Sequence, residues 1–132
     1  MFSALKVINS KSKRNLRFVA AGSFQIEFFE NEGQDYFTIY RFNYGGEGGS
    51  LYYLFNFSNK SITCMSDNEF QFVDGLSTYK IRVTSKNKSH KIYVTRYLWG
   101  WLPLSRLGGK ASESGLASLR SNLKLYLSDM AA

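Results

Sequence analysis

Short runs of alternating apolar and polar residues, separated by turn-forming residues, recur along most of this 132-residue chain. Between about residues 16 and 98 the runs are rich in Phe, Tyr, Ile and Val, and clusters of Gly, Asn and Ser lie between them. A period of two places successive side chains on opposite faces of a strand, and turns at this spacing are typical of antiparallel sheets. The sequence therefore predicts mainly antiparallel β-structure in this region.

Two hairpins are the most regular of these elements. The first joins residues 24–30 to residues 36–42 through a turn that contains Gly33. The second joins residues 78–85 to residues 90–98 through the loop at 86–89. Alternate residues of the second hairpin form an apolar set, and the opposite set is cationic and aromatic. That opposite set contains Lys80, Arg82, Lys91, Tyr93 and Tyr97.

The last element is a predicted helix over residues 113–130, with Ser112 as its N-cap. Apolar residues recur there at spacings of three and four, which gives the helix one apolar face. They are Leu116, Leu119, Leu123, Leu127 and Met130. Before this helix, Gly100, Pro103 and the Gly108-Gly109 pair interrupt the strand pattern, so no strand is predicted after residue 98.

These elements predict a single α+β domain over residues 1–132. We expect a strongly bent antiparallel sheet, or a small barrel, of seven to eight strands with one C-terminal amphipathic helix. The polar and basic residues near the N-terminus lack periodicity and predict a flexible basic arm over residues 1–15. Residues 45–49 are glycine-rich, but a strand pattern follows them where a phosphate-binding loop would precede a helix, so a connection between strands is favoured.

The sequence gives little support for catalysis or metal binding. His90 is the only histidine and is expected to be an ordinary exposed residue, and Cys64 is the only cysteine and is expected to be buried. We therefore expect no enzyme, no cofactor and no metal site. A lone cysteine favours a reducing compartment, and without a signal-like start or a long apolar run we expect a cytoplasmic protein.

Positive charge is concentrated in one segment. Between Asp74 and Glu113 there is no acidic residue, yet this segment contains 8 of the 17 Lys and Arg residues of a chain with net charge +7. Aromatic residues are interleaved with these cations, and such a surface suits a polyanion that carries stackable rings. The leading hypothesis is thus non-catalytic binding of single-stranded RNA or DNA.

The predicted contacts divide into two kinds. Phosphates are expected at Lys80, Arg82, Lys91 and Arg96, and bases are expected to stack on Tyr93 and Tyr97. Of these six residues, Arg96 falls on the apolar side of the alternation, which places it either near a sheet edge or out of register.

Two other function classes remain open. Trp99 and Trp101 lie close in sequence to Arg96, Arg106 and Lys110, as in an anchor for an anionic membrane surface, although filling the seam between sheet and helix is the favoured interpretation of the two indoles. The order of elements resembles that of pleckstrin-homology domains, which implies phosphoinositide binding through basic strand loops but assigns no residue here. The third class is a self-assembling phage or viral subunit, a homo-oligomer.

Overall fold

A computed structural model describes residues 12–42, 49–56 and 62–126 of the chain. Nine antiparallel strands and one helix lie in these ranges, which confirms the α+β class. The elements are β1 (Arg14–Ala21), β2 (Phe24–Asn31), β3 (Gln34–Phe42), β4 (Gly49–Asn56), β5 (Ile62–Ser66), β6 (Glu69–Asp74), β7 (Ser77–Lys86), β8 (Ser89–Leu98), β9 (Leu102–Ala111) and α1 (Glu113–Lys124).

The strands form two sheets in which chain neighbours are also sheet neighbours. The first sheet has the order β1-β2-β3-β4, and the second has the order β5-β6-β7-β8-β9. Both predicted hairpins are confirmed, as β2–β3 and β7–β8. The prediction of one bent sheet or barrel with seven to eight strands is wrong, because the described strands divide between two sheets and number nine.

The unpredicted strand is β9, which contains the residues that interrupt the sequence pattern. It lies at the edge of the second sheet and pairs only with β8, so Pro103 near its start removes no bond from a central ladder. Gly108 and Gly109 are also part of it, and each lies where a neighbour approaches too closely for a side chain. Both glycines are therefore compatible with a strand at this position.

The core lies between the two sheets and combines aliphatic side chains with a cluster of aromatic rings. Rings from the two sheets meet there. Phe37 on β3 and Phe72 on β6 are edge to face, with their ring centres 5.5 Å apart. The ring centres of Tyr53 on β4 and Tyr79 on β7 are 4.0 Å apart. The Tyr53 hydroxyl donates to Asp74 Oδ2 at 2.8 Å. Burial is the main reason that the pKa of Tyr53 is raised, and the hydrogen bond to Asp74 raises it further.

Helix α1 closes one side of this core against β1. The predicted N-cap is confirmed, because the Ser112 hydroxyl accepts the Gly115 N–H at 3.0 Å. Leu116, Leu119 and Leu123 are buried as the apolar pattern predicts. The helix ends at Lys124, and residues 127–130 of the predicted helix lie outside the described residues.

The two sheets touch where the β1–β2 turn meets β9. The Gly22 N–H donates to the Lys110 carbonyl at 3.1 Å, and a Cβ on Gly109 would lie 2.1 Å from the Ala21 carbonyl oxygen. Backbone therefore lies directly on backbone at this point. The contact brings the start of α1, which follows β9, next to β1.

The outer face of the first sheet contains a largely buried ion pair. Lys13 Nζ lies 2.8 Å from Glu27 Oε1, which also accepts the Thr38 hydroxyl at 3.1 Å. Burial lowers the pKa of Lys13, but its bonds to Glu27 and Tyr40 outweigh burial and raise it overall. The end of the predicted N-terminal arm is thus bound to the sheet. Residues 1–11 of that arm lie outside the described residues, and so do Gly45, Gly46 and Gly48 of the glycine-rich segment.

Candidate nucleic-acid interface

The outer face of the second sheet brings most of the predicted site residues together. Strand pairing aligns them in rows: Lys91 lies beside Lys110, Arg82 beside Tyr93, and Thr95 beside both Lys80 and Arg106. Successive rows are two residues apart along each strand, or about 7 Å. We call this surface the basic face. Its residues are Lys80, Arg82, Lys91, Tyr93, Tyr97, Arg106 and Lys110.

Lys91 and Lys110 form a like-charge pair across β8 and β9. They are direct partners in the antiparallel register, and both are exposed. Like charges placed directly opposite in a sheet destabilise the pair by a few tenths of a kcal/mol, about the amount that opposite charges would contribute. An anion held between the two ammonium groups would reverse the sign of this interaction.

Tyr93 lies flat on the sheet and is stacked with an arginine. A Cβ built on Gly108 would lie 2.7 Å from Cδ1 and Cε1 of Tyr93, so the ring occupies the space over that glycine. The Arg106 guanidinium carbon lies 4.2 Å from the centre of the Tyr93 ring. The ring is half-buried, and it forms with the guanidinium a two-layer platform rather than a bare phenol.

Tyr97 carries a cation in the same way, because Lys80 Nζ lies 5.1 Å from its ring centre. The two tyrosines are four residues apart on β8, or about 13 Å. Between them the surface forms an open depression of about 360 Å³. Its lining residues are Arg82, Tyr93, Thr95, Tyr97, Pro103, Leu104, Ser105 and Arg106.

The charge balance of the basic face is strongly positive. It carries five cations, namely Lys80, Arg82, Lys91, Arg106 and Lys110. Glu69 on β6 is the acidic residue on this side of β6–β9, where it pairs in register with Arg82, and its Oε1 lies 3.5 Å from Arg82 Nε. Because this pair is solvent-exposed, its contribution is small, at most about 1 kcal/mol. Four of the five cations have no carboxylate among their register partners.

Arg96 is not part of the basic face, so the structure does not bring it together with the other five predicted site residues. It pairs with Tyr79, whose side chain is buried on the opposite side of the sheet, and its Nε donates to the Ser77 hydroxyl at 3.0 Å. The alternation places it on that side, as the sequence pattern indicates. The side chain is nonetheless exposed because it lies near the end of β8.

The two tryptophans do not fill the seam between sheet and helix. Trp99 and Trp101 are 59% and 67% exposed, in the turn between β8 and β9. Leu76, in the β6–β7 turn, is 68% exposed, and its carbonyl accepts the Trp99 N–H at 2.8 Å. We call these three residues the tryptophan tip.

The β8–β9 turn holds Trp99 in an unfavourable backbone conformation. Trp101 N–H donates to the Leu98 carbonyl at 3.3 Å, and φ is positive at both central residues, +56° at Trp99 and +82° at Gly100. Turns with two positive φ values favour Asn, Asp or Gly, and other L-residues lose roughly 1 to 2 kcal/mol there. Because the Trp99 indole is exposed, its packing within the fold compensates for little of that free-energy loss.

The other candidate reactive residues lie apart from the basic face. His90 Nδ1 lies 2.7 Å from the Ser85 hydroxyl, and its Nε2 lies 3.7 Å from Glu113 Oε1, so His90 connects the β7–β8 hairpin to the start of α1. It is half-buried rather than fully exposed. Cys64 is exposed, which contradicts the expectation of burial.

Two kinds of structure are absent from the described ranges. Over residues 12–42, 49–56 and 62–126, no three His, Cys, Asp or Glu side chains are grouped so that they could hold a metal ion. In the same part of the chain, no helix has the length and apolar character needed to cross a membrane.

Comparisons with known protein families and with curated proteins found no match for this chain.

Proposed function

We propose that the protein is a non-catalytic binding protein for single-stranded nucleic acid and that the basic face is its contact surface. The observation that carries this proposal is the convergence of five cations and two tyrosines on one sheet face. Glu69 is the carboxylate on that side of β6–β9, and it offsets one of the five positive charges. Phosphates attract such a surface through charge and counterion release, and bases stack on its rings.

Each part of the face has a distinct role in this proposal. Lys91 and Lys110 bind one phosphate between them, which removes their mutual repulsion. Bases stack over the Tyr93–Arg106 platform, since both aromatic rings and guanidinium planes accept unpaired bases. Tyr97, with Lys80 Nζ over its ring, provides a second aromatic ring with its own cation. This ring lies about 13 Å from Tyr93 along the strand direction. An extended nucleic-acid strand would therefore cross the successive rows of the basic face.

A single strand fits this surface better than a duplex. The cations of the basic face lie on a sheet, while α1 buries its apolar residues in the core and carries two cations, Arg120 and Lys124, of which Arg120 donates to Asn68 Oδ1. We place this binding activity in the cytoplasm, because a reducing compartment suits an exposed lone thiol such as that of Cys64.

Fluorescence anisotropy with labelled single-stranded oligonucleotides at several salt concentrations tests the electrostatic part. The affinity of the native protein should fall steeply with salt, and Lys91→Gln combined with Lys110→Gln should lower the log–log slope by about 0.7 units, the amount expected for the one phosphate contact that the two lysines share. Lys124→Gln on α1 removes a charge away from the face and is the matched control. Binding that is absent, or independent of salt, contradicts the proposal.

The stacking part is tested with Tyr93→Leu and Tyr97→Leu. Tyr97→Leu should weaken oligonucleotide binding by about 1 kcal/mol or more, because base stacking on an aromatic ring is worth about 1 to 3 kcal/mol. Tyr93→Leu should also weaken binding, because the Arg106 guanidinium would lose the ring with which it stacks. Phe18→Leu is the control, since Phe18 is an exposed aromatic residue on the first sheet. Equal affinities for the native protein and both Tyr variants would leave charge alone as the source of binding.

A further inference from the structure

We infer that the tryptophan tip is a second binding site, which inserts into the interface of an anionic lipid surface. The tip itself contains no residue of the basic face, so the inference does not require the nucleic-acid proposal to hold, although Lys80 and Tyr97 of the basic face lie next to the tip. It rests on three observations: the exposure of the three apolar side chains, the backbone of the turn, and the cations behind it.

The three apolar side chains of the tryptophan tip lie in two adjacent turns. The hydrogen bond from Trp99 N–H to the Leu76 carbonyl fixes the β8–β9 turn beside the β6–β7 turn. The indoles of Trp99 and Trp101 lie 6.4 Å apart, centre to centre. Trp is enriched where water meets a bilayer because its ring is apolar and its N–H is polar. Two such rings and a leucine on neighbouring turns match the composition of an interfacial anchor.

The turn itself indicates selection for an exposed indole. Trp99 occupies a left-handed position, φ +56°, where Asn or Gly would relieve strain. Its ring is 59% exposed, so burial within this fold does not explain the choice. A ligand that covers the ring would explain it.

Cations lie directly behind the tip on both sides of the sheet. On the core-facing side, Arg96 is exposed and bonded to the Ser77 hydroxyl, one residue from Leu76. On the outer side, Lys80 lies over the Tyr97 ring, and Tyr97 precedes Trp99 by two residues, or about 7 Å. Cations in this position would face the headgroups when the apolar side chains of the tip enter the headgroup/acyl boundary.

One acidic residue is close to the tip and opposes this charge. Asp74 precedes the β6–β7 turn, and its Oδ2 accepts the hydroxyl of the buried Tyr53 at 2.8 Å. Its carboxylate is thereby directed to the core-facing side of the sheet. Arg96 and Lys80 therefore leave a net positive charge behind the tip, which complements an anionic headgroup layer.

The intrinsic fluorescence of the protein tests the inference without a label, because Trp99 and Trp101 are the only two tryptophans of the chain. Vesicles of phosphatidylcholine mixed with phosphatidylserine should shift tryptophan emission to the blue, and brominated acyl chains should quench it. Vesicles of phosphatidylcholine alone should bind more weakly. Arg96→Gln should lower affinity for the anionic vesicles by about fivefold, the effect expected for one cation near such a surface.

Trp99→Asn is the decisive variant because Asn suits the left-handed backbone, so the fold should be retained or become more stable. Vesicle affinity should nevertheless fall by about tenfold or more, because partitioning depends on the buried apolar area. Phe18→Ser is the matched control: Phe18 has the same 59% exposure but lies on the first sheet, and its loss should not change affinity.

Several results would overturn the inference. Emission that does not respond to anionic vesicles, or equal vesicle affinity for Trp99→Asn, removes the lipid surface as the occupant. Self-association that Trp99→Asn abolishes, with no vesicle binding, identifies a second copy of the chain instead. Emission that responds only to oligonucleotides assigns the indoles to the nucleic-acid surface. Vesicle binding through the tip without any oligonucleotide binding supports this inference and rejects only the proposed function.

Discussion

Gly109→Ala is expected to be among the most destabilising small substitutions in this fold. The new methyl group would lie 2.1 Å from the Ala21 carbonyl oxygen, 2.4 Å from its carbonyl carbon and 2.8 Å from Gly22 N. All three atoms belong to the backbone, so no side-chain rotation can relieve the overlap. The β1–β2 turn must move away from β9 by about 1 Å or more to reach ordinary van der Waals separation.

The magnitude follows from what that movement breaks. Overpacking of this kind costs up to about 3 kcal/mol. Separation of the sheets also breaks the 3.1 Å bond from Gly22 N–H to the Lys110 carbonyl, a net loss of about 1 kcal/mol. Replacing glycine by alanine recovers about 0.5 kcal/mol by restricting the unfolded chain. We therefore expect a loss of about 3 kcal/mol, a large fraction of the 5 to 15 kcal/mol typical of a domain.

Urea unfolding followed by circular dichroism measures this loss, and two other glycines are matched controls. Gly33→Ala introduces a methyl group with no atom within 4 Å but at φ +77°, so it isolates backbone strain of about 1 kcal/mol. Gly108→Ala would place its methyl group 2.7 Å from the Tyr93 ring, and because a side chain and not backbone must move there, it should cost less than Gly109→Ala. A loss for Gly109→Ala no greater than that for Gly33→Ala would refute the proposed contact between the sheets.

Three further predictions concern the cap, the alkaline limit and the basic face. Ser112→Ala should lower the free energy of unfolding by about 1 kcal/mol in urea titrations, because the Gly115 N–H loses its acceptor; an unchanged midpoint would contradict the cap. The folded-state pKa values of Tyr53 and Lys13 are raised above ordinary values of 10.0 and 10.5, so the folded protein keeps protons that the unfolded chain releases. Stability should therefore be retained below about pH 10 and decline above it, and urea midpoints that stay constant from pH 9 to 11 would be inconsistent with this linkage. Lys91→Glu should raise stability by about 0.5 kcal/mol, since it creates an opposite-charge pair with the neighbouring lysine, while weakening oligonucleotide binding in anisotropy titrations; stability and affinity that change in the same direction would argue against a binding role for this pair.

The parts of the fold that sequence predicts are those controlled by local periodicity. The alternation in β7 and β8 correctly places Ile81 and Ile92 in the core and Lys80 and Tyr93 on the outer face, because a strand turns each successive side chain to the other side. The same rule places Arg96 on the core-facing side. The predicted phosphate contacts nevertheless included Arg96, although the alternation of side chains placed it on the other side from Lys80, Arg82 and Lys91.

Other features depend on contacts between distant parts of the chain, which periodicity does not report. β9 looks irregular in sequence because Gly108 and Gly109 make room for a tyrosine ring and for a turn of the other sheet. Since that strand was not predicted, Arg106 and Lys110 were not assigned to the basic face. Cys64 pairs with the buried Phe70, yet it is exposed because β5 lies at the edge of its sheet.

The contrast between the outer faces of the two sheets strengthens the assignment of function to the second. On the first sheet, Lys13 and Glu27 form a bonded pair that is almost fully enclosed, so charge there is neutralised within the chain. On the second sheet, Lys91 faces Lys110 without a carboxylate between them, and Trp99 holds an exposed ring on a strained turn. Alternating charges and an Asn-Gly turn would stabilise the fold more. These features of the second sheet lower stability, and under the two proposals external ligands would supply the missing negative charge and cover the exposed rings.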